Sequence, residues 1–197
     1  MKTNPNPQGK GLVPMLDAWQ SLRPVAVAPK SAPTLLADYL VSLLVLSAEF
    51  SFKPIPGKPY YLYWRQGSWQ LSLISPVEWG PRYSGECLGE CQLEFDMTWR
   101  LILPQAPSFS AELQSAIKDF TALFGEQLTS AEALEDTLPF YVRQLPFYRR
   151  LLATGLAASL QHSMRASGQL GHSGQIWLQR ASGELPQLLT CSSAEIL

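Results

Sequence analysis

The hydrophobic period of this chain changes at a proline-rich break, and this change limits the fold more than any other feature. Residues 53–59 contain three prolines, which break helices and cannot donate hydrogen bonds within a sheet. Before the break, residues 34–50 repeat apolar side chains at steps of three and four, which predicts a helix. After it, residues 60–65 and 69–75 favour two strands joined by a three-residue turn at residues 66–68. The chain therefore passes from a helix into a hairpin.

The rest of the chain extends the sheet and then returns to helices. Two further strands are predicted at residues 87–95 and 98–103, with a tight turn at residues 96–97. Helical spacing returns at residues 110–128 and again at residues 146–166. The sequence thus predicts an α+β fold, in which a four-stranded antiparallel meander packs against a helical bundle of three to four helices.

Composition along the chain divides it into three parts. We expect a proline-rich extended arm at 1–33, an α+β domain at 34–166 with its sheet at 60–103 and its later helices within 110–166, and a loosely ordered tail at 167–197. A late hairpin is the alternative for the tail.

Charge and cysteine content limit the functional classes. The chain has 15 Lys plus Arg and 16 Asp plus Glu, so no global field attracts nucleic acid or an anionic membrane. Three cysteines do not make a disulfide framework, and they fit a reducing compartment. The first residues lack the apolar run of a secretory signal. We therefore expect a cytoplasmic protein that contacts no membrane.

The sequence shows no pattern typical of a catalytic or metal site. Cys87 and Cys91 would lie roughly 13 Å apart on a strand, too far to share a metal ion. The chain contains no Gly-x-Ser-x-Gly motif. Glu86, Glu90 and Glu94 recur at even spacing, which predicts one solvated acidic strand face. We predict no catalytic residue, no metal and no cofactor, and a non-enzymatic role is favoured.

Aromatic residues are the strongest candidates for binding. Nine of the 21 aromatic side chains fall between Tyr60 and Trp99, and an aromatic patch on an open sheet face is typical of a contact surface. The candidate binding residues are Tyr61, Tyr63, Trp64, Glu78, Trp79, Trp99 and Trp19. The acidic strand argues against nucleic acid as the ligand.

Two function hypotheses follow from these residues. Charged residues make up only 16% of the chain, below the roughly 25% of typical domains, which suggests that a partner covers part of the surface. The favoured hypothesis is a protein-interaction or adaptor module that uses the aromatic sheet face and the N-terminal arm, with another protein or a second copy as partner. The alternative is a small-molecule-binding protein or enzyme with a pocket of Tyr and Trp side chains.

Four short motifs resemble the domain of unknown function 2452 family. They are NPNPQGKGLVP at residues 4–14, PYYLY at 59–63, LISPVEWG at 73–80 and DMTW at 96–99. The resemblance covers roughly residues 4–165. It implies a sheet-bearing cytoplasmic protein of bacteria, with related sequences in eukaryotes, and it assigns no activity and no catalytic residue.

Overall fold

The computed structural model describes residues 24–25, 27–105, 108–139 and 144–181. Within these residues the chain forms a four-stranded antiparallel sheet and five helices, which confirms the predicted α+β class. The elements are α1 (Ala32–Ser47), β1 (Pro59–Arg65), β2 (Ser68–Ser72), α2 (Pro76–Trp79), β3 (Glu86–Leu93), β4 (Trp99–Ile102), α3 (Ala111–Ser130), α4 (Phe147–Ala166) and α5 (Gly174–Arg180). Short 3₁₀ turns at Gly80–Arg82 and Leu134–Thr137 follow α2 and α3.

Helix α1 is buried on nearly every side. Ser31 caps its N-terminus, because the Ser31 Oγ accepts a hydrogen bond from Thr34 N at 3.4 Å, and Pro33 lies in the first turn. The fully buried side chains of this helix include Leu35, Leu36, Tyr39, Leu40, Val41, Leu44 and Val45. The helix contacts strands β2 and β4 and helices α3, α4 and α5. It is therefore the centre of the hydrophobic core.

Helix α1 ends three residues before the predicted end at Phe50. The following segment is extended, and Glu49 pairs with the free edge of β2. Glu49 N donates to the Trp69 carbonyl at 2.8 Å, and Leu71 N donates to the Glu49 carbonyl at 3.1 Å. The helix ends at Ser47 because the backbone of Glu49 instead forms hydrogen bonds with the open edge of β2.

The strand order β2–β1–β3–β4 differs from that of the predicted meander. All neighbouring strands are antiparallel, but β3 pairs with β1 and not with β2. The connection after β2 therefore crosses one face of the sheet before it reaches the far edge of β1. We call this face the outer face, and the face that packs against α1 the inner face.

The turn between β1 and β2 has two residues, one fewer than predicted. Gln66 and Gly67 have φ angles of 51° and 77°, which is typical of a type I′ turn, and Ser68 already pairs with Arg65. This register places Trp64 directly opposite Trp69.

A β-bulge at Leu88 separates two glutamates that were expected to share a face. Leu62 pairs with Gly89, whereas Tyr63 pairs with Cys87, so β3 carries one extra residue at this point. Glu90 lies on the outer face opposite Tyr61, and Glu86 lies on the inner face opposite Trp64. The expectation of one acidic face that includes both Glu86 and Glu90 is therefore wrong.

The described part of the expected tail contains helix α5. Trp177 on this helix is fully buried in the core. A Cβ atom at Gly174 would lie 1.8 Å from the Leu128 carbonyl oxygen, so only glycine permits this approach to α3. Residues 167–181 thus differ from the loose tail or hairpin that we expected, and residues 182–197 lie outside the described residues.

Lys30 joins the end of the N-terminal arm to two other parts of the fold. Its ammonium contacts Asp38 Oδ2 at 2.5 Å and Asp96 Oδ2 at 2.6 Å, and all three side chains are largely buried. Burial by itself would lower the pKa of Lys30, but the two carboxylates outweigh burial and raise it above its ordinary value of 10.5. Burial would likewise raise the pKa of Asp96, but Lys30 and the hydrogen bonds from Thr98 lower it below 3.8.

We predict that Lys30→Met destabilises the protein by about 3 kcal/mol at pH 7, because Asp38 and Asp96 lose the cation that bridges them. The stabilisation from Asp96 is complete above its ordinary pKa of 3.8 and is lost as the pH falls through its lower folded-state pKa. The stabilisation from Lys30 is complete below pH 10.5 and is lost as the pH rises through its higher folded-state pKa.

Urea unfolding of both proteins at pH 7 and at about pH 4 checks this prediction. In the variant the two carboxylates no longer face the charge of Lys30 and take up protons more readily, so the difference in unfolding free energy should shrink at the lower pH. If the difference in unfolding free energy is equal at the two pH values, the effect comes from the packing of the lysine side chain, and the charge argument is wrong.

Candidate functional site

A rigid turn of helix lies over the outer face of the sheet. Helix α2 begins with a capping box, in which Glu78 N donates to Ser75 Oγ at 3.3 Å and Ser75 N donates to Glu78 Oε2 at 2.8 Å. Pro76 fixes the first turn, and Gly80 with a φ of 60° ends it. The segment is short and exposed, but its backbone conformation is set by these local contacts.

Aromatic rings connect this turn to the sheet. Trp79 stacks on Tyr83 with ring centroids 4.5 Å apart, and Tyr83 meets the ring of Tyr63 edge to face at 4.9 Å. The Arg65 guanidinium lies 5.3 Å from the centroid of the Tyr83 ring, and Tyr83 OH donates to Gln70 Oε1 at 3.2 Å. These contacts hold Trp79 in a defined place above β1.

Apolar side chains next to this stack are exposed to solvent. Val77 is 91% exposed and Trp79 is 36% exposed, and both Leu73 and Ile74 are also exposed. We call Leu73, Ile74, Val77 and Trp79 the loop patch. Scattered single apolar residues are ordinary on protein surfaces, but these four lie within one segment of seven residues, and grouped exposed apolar residues usually mark a contact site.

The ionisable groups near the loop patch are poor candidates for proton or nucleophilic chemistry. Burial raises the pKa of the Cys87 thiol to about 11, so it stays protonated at neutral pH. Burial also raises the pKa of Tyr63, whose OH donates to the Ile74 carbonyl at 2.9 Å. The exposed Glu78 carboxylate is an anion, because hydrogen bonds from Ser75 lower its pKa.

The structure divides the candidate binding residues among three locations. Tyr61, Glu78 and Trp79 come together at the outer face. Tyr63 lies on the same face but is only 1% exposed beneath Tyr83, so its expected contact with a partner is wrong. Trp64 lies on the inner face at the tip of the hairpin. Trp99 is only 1% exposed, and its backbone N–H donates to the buried Ser42 Oγ at 2.9 Å. Trp99 is therefore a core residue and was wrongly expected to bind a partner, while Trp19 lies outside the described residues.

A second aromatic pair lines an open cleft between the hairpin tip and α3. Trp64 and Trp69 are in edge-to-face contact, with centroids 4.9 Å apart. Trp64 Nε1 donates to Glu112 Oε1 at 3.0 Å. Sequence reasoning missed Trp69, Glu112 and Asp119 as members of one site. Glu112 and Asp119 share one face of α3, but only the tertiary contact with the hairpin shows that this face lines a cleft.

Sequence reasoning also missed the residues that fix the loop patch. Tyr83 and Arg65 were not singled out, although Tyr83 makes contacts with both Trp79 and Tyr63. The aromatic and proline content between Pro76 and Tyr83 was the available signal. It did not show that this loop folds back over β1, because the strand order is not a local property.

Two further properties were searched for within the described part of the chain. No group of three or more His, Cys, Asp and Glu side chains there has a geometry that could hold a metal ion. None of the helices described combines the length and the apolar character needed to span a bilayer.

Fold and surface together define an α+β protein with a four-stranded antiparallel sheet and two aromatic sites, one on each face. Residues 29–105 match the sequence model of a family described as protein of unknown function (DUF2452). This match confirms the resemblance to that family over a shorter stretch than residues 4–165. It includes α1, the whole sheet and the loop patch. No solved structure matches the chain at a significant level.

We predict that Trp79→Ala lowers the free energy of unfolding by about 1 kcal/mol, because it removes one partly exposed ring from a stacked pair. Trp99→Ala is the control. It should cost about 3–5 kcal/mol, because it empties a buried site. Urea unfolding followed by circular dichroism compares the two variants. A loss at Trp79 as large as that at Trp99 would show that Trp79 serves the core and not a surface.

Proposed function

We propose that the protein is a non-enzymatic, cytoplasmic interaction module that binds another protein through the loop patch. The observation that carries the proposal is the exposure of four apolar side chains within residues 73–79, on a segment whose backbone is held by a capping box and an aromatic stack. A surface of this kind favours association, since its apolar area is removed from water on binding. The described cysteines are unpaired, as is typical of a reducing compartment.

Preorganisation of the loop patch supports this role. Trp79 is already oriented by Tyr83, and the turn below it is closed by Ser75 and Glu78. Binding of a partner would therefore cost little conformational entropy, because this segment is already ordered. Tryptophan is also among the residues that most often dominate the energy of an interface.

The charges around the loop patch indicate the chemistry of the partner. Glu78 is an anion at its rim, and nothing in the described residues buries it. We infer that the partner presents an apolar groove with a Lys or Arg at its edge, since opposite charges at an interface rim favour the correct orientation. The N-terminal arm was also expected to contribute to binding, but residues 1–23 lie outside the described residues, so the proposal depends on the loop patch alone.

Site-specific photocrosslinking in the native cell tests the proposal. A photoreactive phenylalanine analogue placed at Val77 should crosslink to one discrete protein, because this side chain projects into solvent and contributes nothing to the core. Adding Trp79→Ala to the same protein should reduce the crosslink at least tenfold. The matched control carries the analogue at Leu170, an apolar residue outside the loop patch that is 37% exposed.

The outcomes separate the hypotheses. A crosslink between two copies of this chain would replace the separate partner with self-association. Equal labelling from Val77 and Leu170, or labelling that does not depend on Trp79, would overturn the loop patch as the contact surface.

A further inference from the structure

The cleft at the hairpin tip is a second site, independent of the loop patch. It has a volume of about 380 Å³ and opens to solvent between β1–β2 and α3. This volume lies within the range of small-ligand sites. Its lining includes Trp64, Trp69, Glu112, Ser115, Asp119 and Phe120.

One wall of the cleft consists of the two tryptophans. The type I′ turn fixes Trp64 and Trp69 as a directly opposed cross-strand pair, and their rings meet at an interplanar angle of 61°. The hydrogen bond from Trp64 Nε1 to Glu112 fixes the first ring further. Trp69 is only 8% exposed, so the half-buried Trp64 supplies most of the indole surface that a ligand can reach.

The opposite wall is a stripe of α3 with small and acidic side chains. Glu112, Ser115, Ala116 and Asp119 follow the spacing of one helical face. Ser115 and Ala116 leave space in the middle, and the two carboxylates lie about 10 Å apart along the helix. Asp119 is exposed and makes no hydrogen bond or ion pair with any residue in the described part of the chain.

The chemistry of the two walls selects the ligand. A metal ion would need several oxygen ligands within about 2.6 Å, and two carboxylates two helical turns apart do not meet this need. A neutral apolar ligand would make no use of Glu112 and Asp119. A cation with an apolar surface fits both walls, because tryptophan faces attract cations and the carboxylates complement the charge.

We propose that this cleft binds an alkylated ammonium group. Methyl substituents weaken the hydration of the ammonium and make contact with Trp64, Trp69 and Phe120, while Asp119 and Glu112 supply opposite charge at the rim. The group can be carried by a methylated lysine of a peptide or by a free quaternary ammonium compound, and both present the same chemistry to the cleft.

Titration of the purified full-length protein with choline tests this site. Indole N–H resonances in a nitrogen-15 correlation spectrum report binding, because Trp64 and Trp69 line the cleft. We expect choline to shift these two resonances in a saturable manner. The matched control ligand is 3,3-dimethylbutan-1-ol, a neutral compound of nearly the same shape, and it should bind at least tenfold more weakly.

Variants of α3 test whether choline binding depends on the carboxylate charge in the cleft and not on the stability of the fold. Asp119→Asn should weaken choline binding about fivefold and reduce its dependence on salt, since it removes one carboxylate from the rim. Glu126→Gln is the matched control, because Glu126 is an exposed acid of the same helix that does not line the cleft. Trp64→Leu should weaken choline binding about tenfold, because it removes an indole ring from the cleft. If the Trp64→Leu protein folds poorly, the comparison of Asp119→Asn with Glu126→Gln still tests the proposal.

Two peptides then distinguish the sources of the ligand. Tighter binding of a trimethyl-lysine peptide than of choline would assign the site to a peptide side chain, and equal or weaker binding would assign it to a free quaternary ammonium compound. The same peptide with unmodified lysine should bind weakly. No saturable shift with choline or the modified peptide, equal binding of the neutral alcohol, or equal effects of Asp119→Asn and Glu126→Gln would overturn the proposal. None of these results depends on the loop patch.

Discussion

The burial of α1 is the constraint on which the rest of the structure depends. This helix is apolar on nearly every face, so it is stable only when each face is covered. The inner face of the sheet covers one side, and helices α3, α4 and α5 cover the others. The small residues Ala153, Gly155 and Ala157 of α4 are buried, which permits the close packing of α4 on α1. Ser42 on α1 accepts the backbone N–H of Trp99, so even its buried hydroxyl serves the contact with the sheet.

This arrangement determines where functional surfaces can form. The inner face is largely taken up by core contacts, which include Trp69, and at the hairpin tip Trp64 reaches α3 through its hydrogen bond to Glu112. On the outer face, the chain that connects β2 to β3 covers Tyr63 while leaving Val77 exposed. Both candidate sites thus lie at the margin of, or outside, the surfaces that cover α1.

The local sequence pattern predicted most helices and strands, because hydrophobic periodicity and the positions of prolines determine secondary structure within a few residues. The predicted turn after Asp96 is present, with Met97 at a φ of 70° and Asp96 Oδ1 bound to Thr98 N. Pattern did not predict which edge of the hairpin β3 would join, since that choice depends on the packing of the whole sheet. The bulge at Leu88 likewise moved Glu86 to the inner face, where it accepts from Ser110 N at the start of α3. Trp99 and Trp177 could not be separated from surface tryptophans by sequence alone, because their burial depends on α1 and α3.

Neighbouring residues of β1 connect the two sites while keeping them chemically separate. Tyr63 and Arg65 point to the outer face and contact Tyr83, whereas Trp64 between them points to the inner face and contacts Glu112. Successive side chains of a strand alternate between faces, so a ligand in the cleft leaves the loop patch open, and a protein on the loop patch leaves the cleft open. The outer site is apolar with one anion at its rim, and the inner site combines indole rings with two carboxylates. The two surfaces therefore differ in their chemistry, and one strand of seven residues positions both.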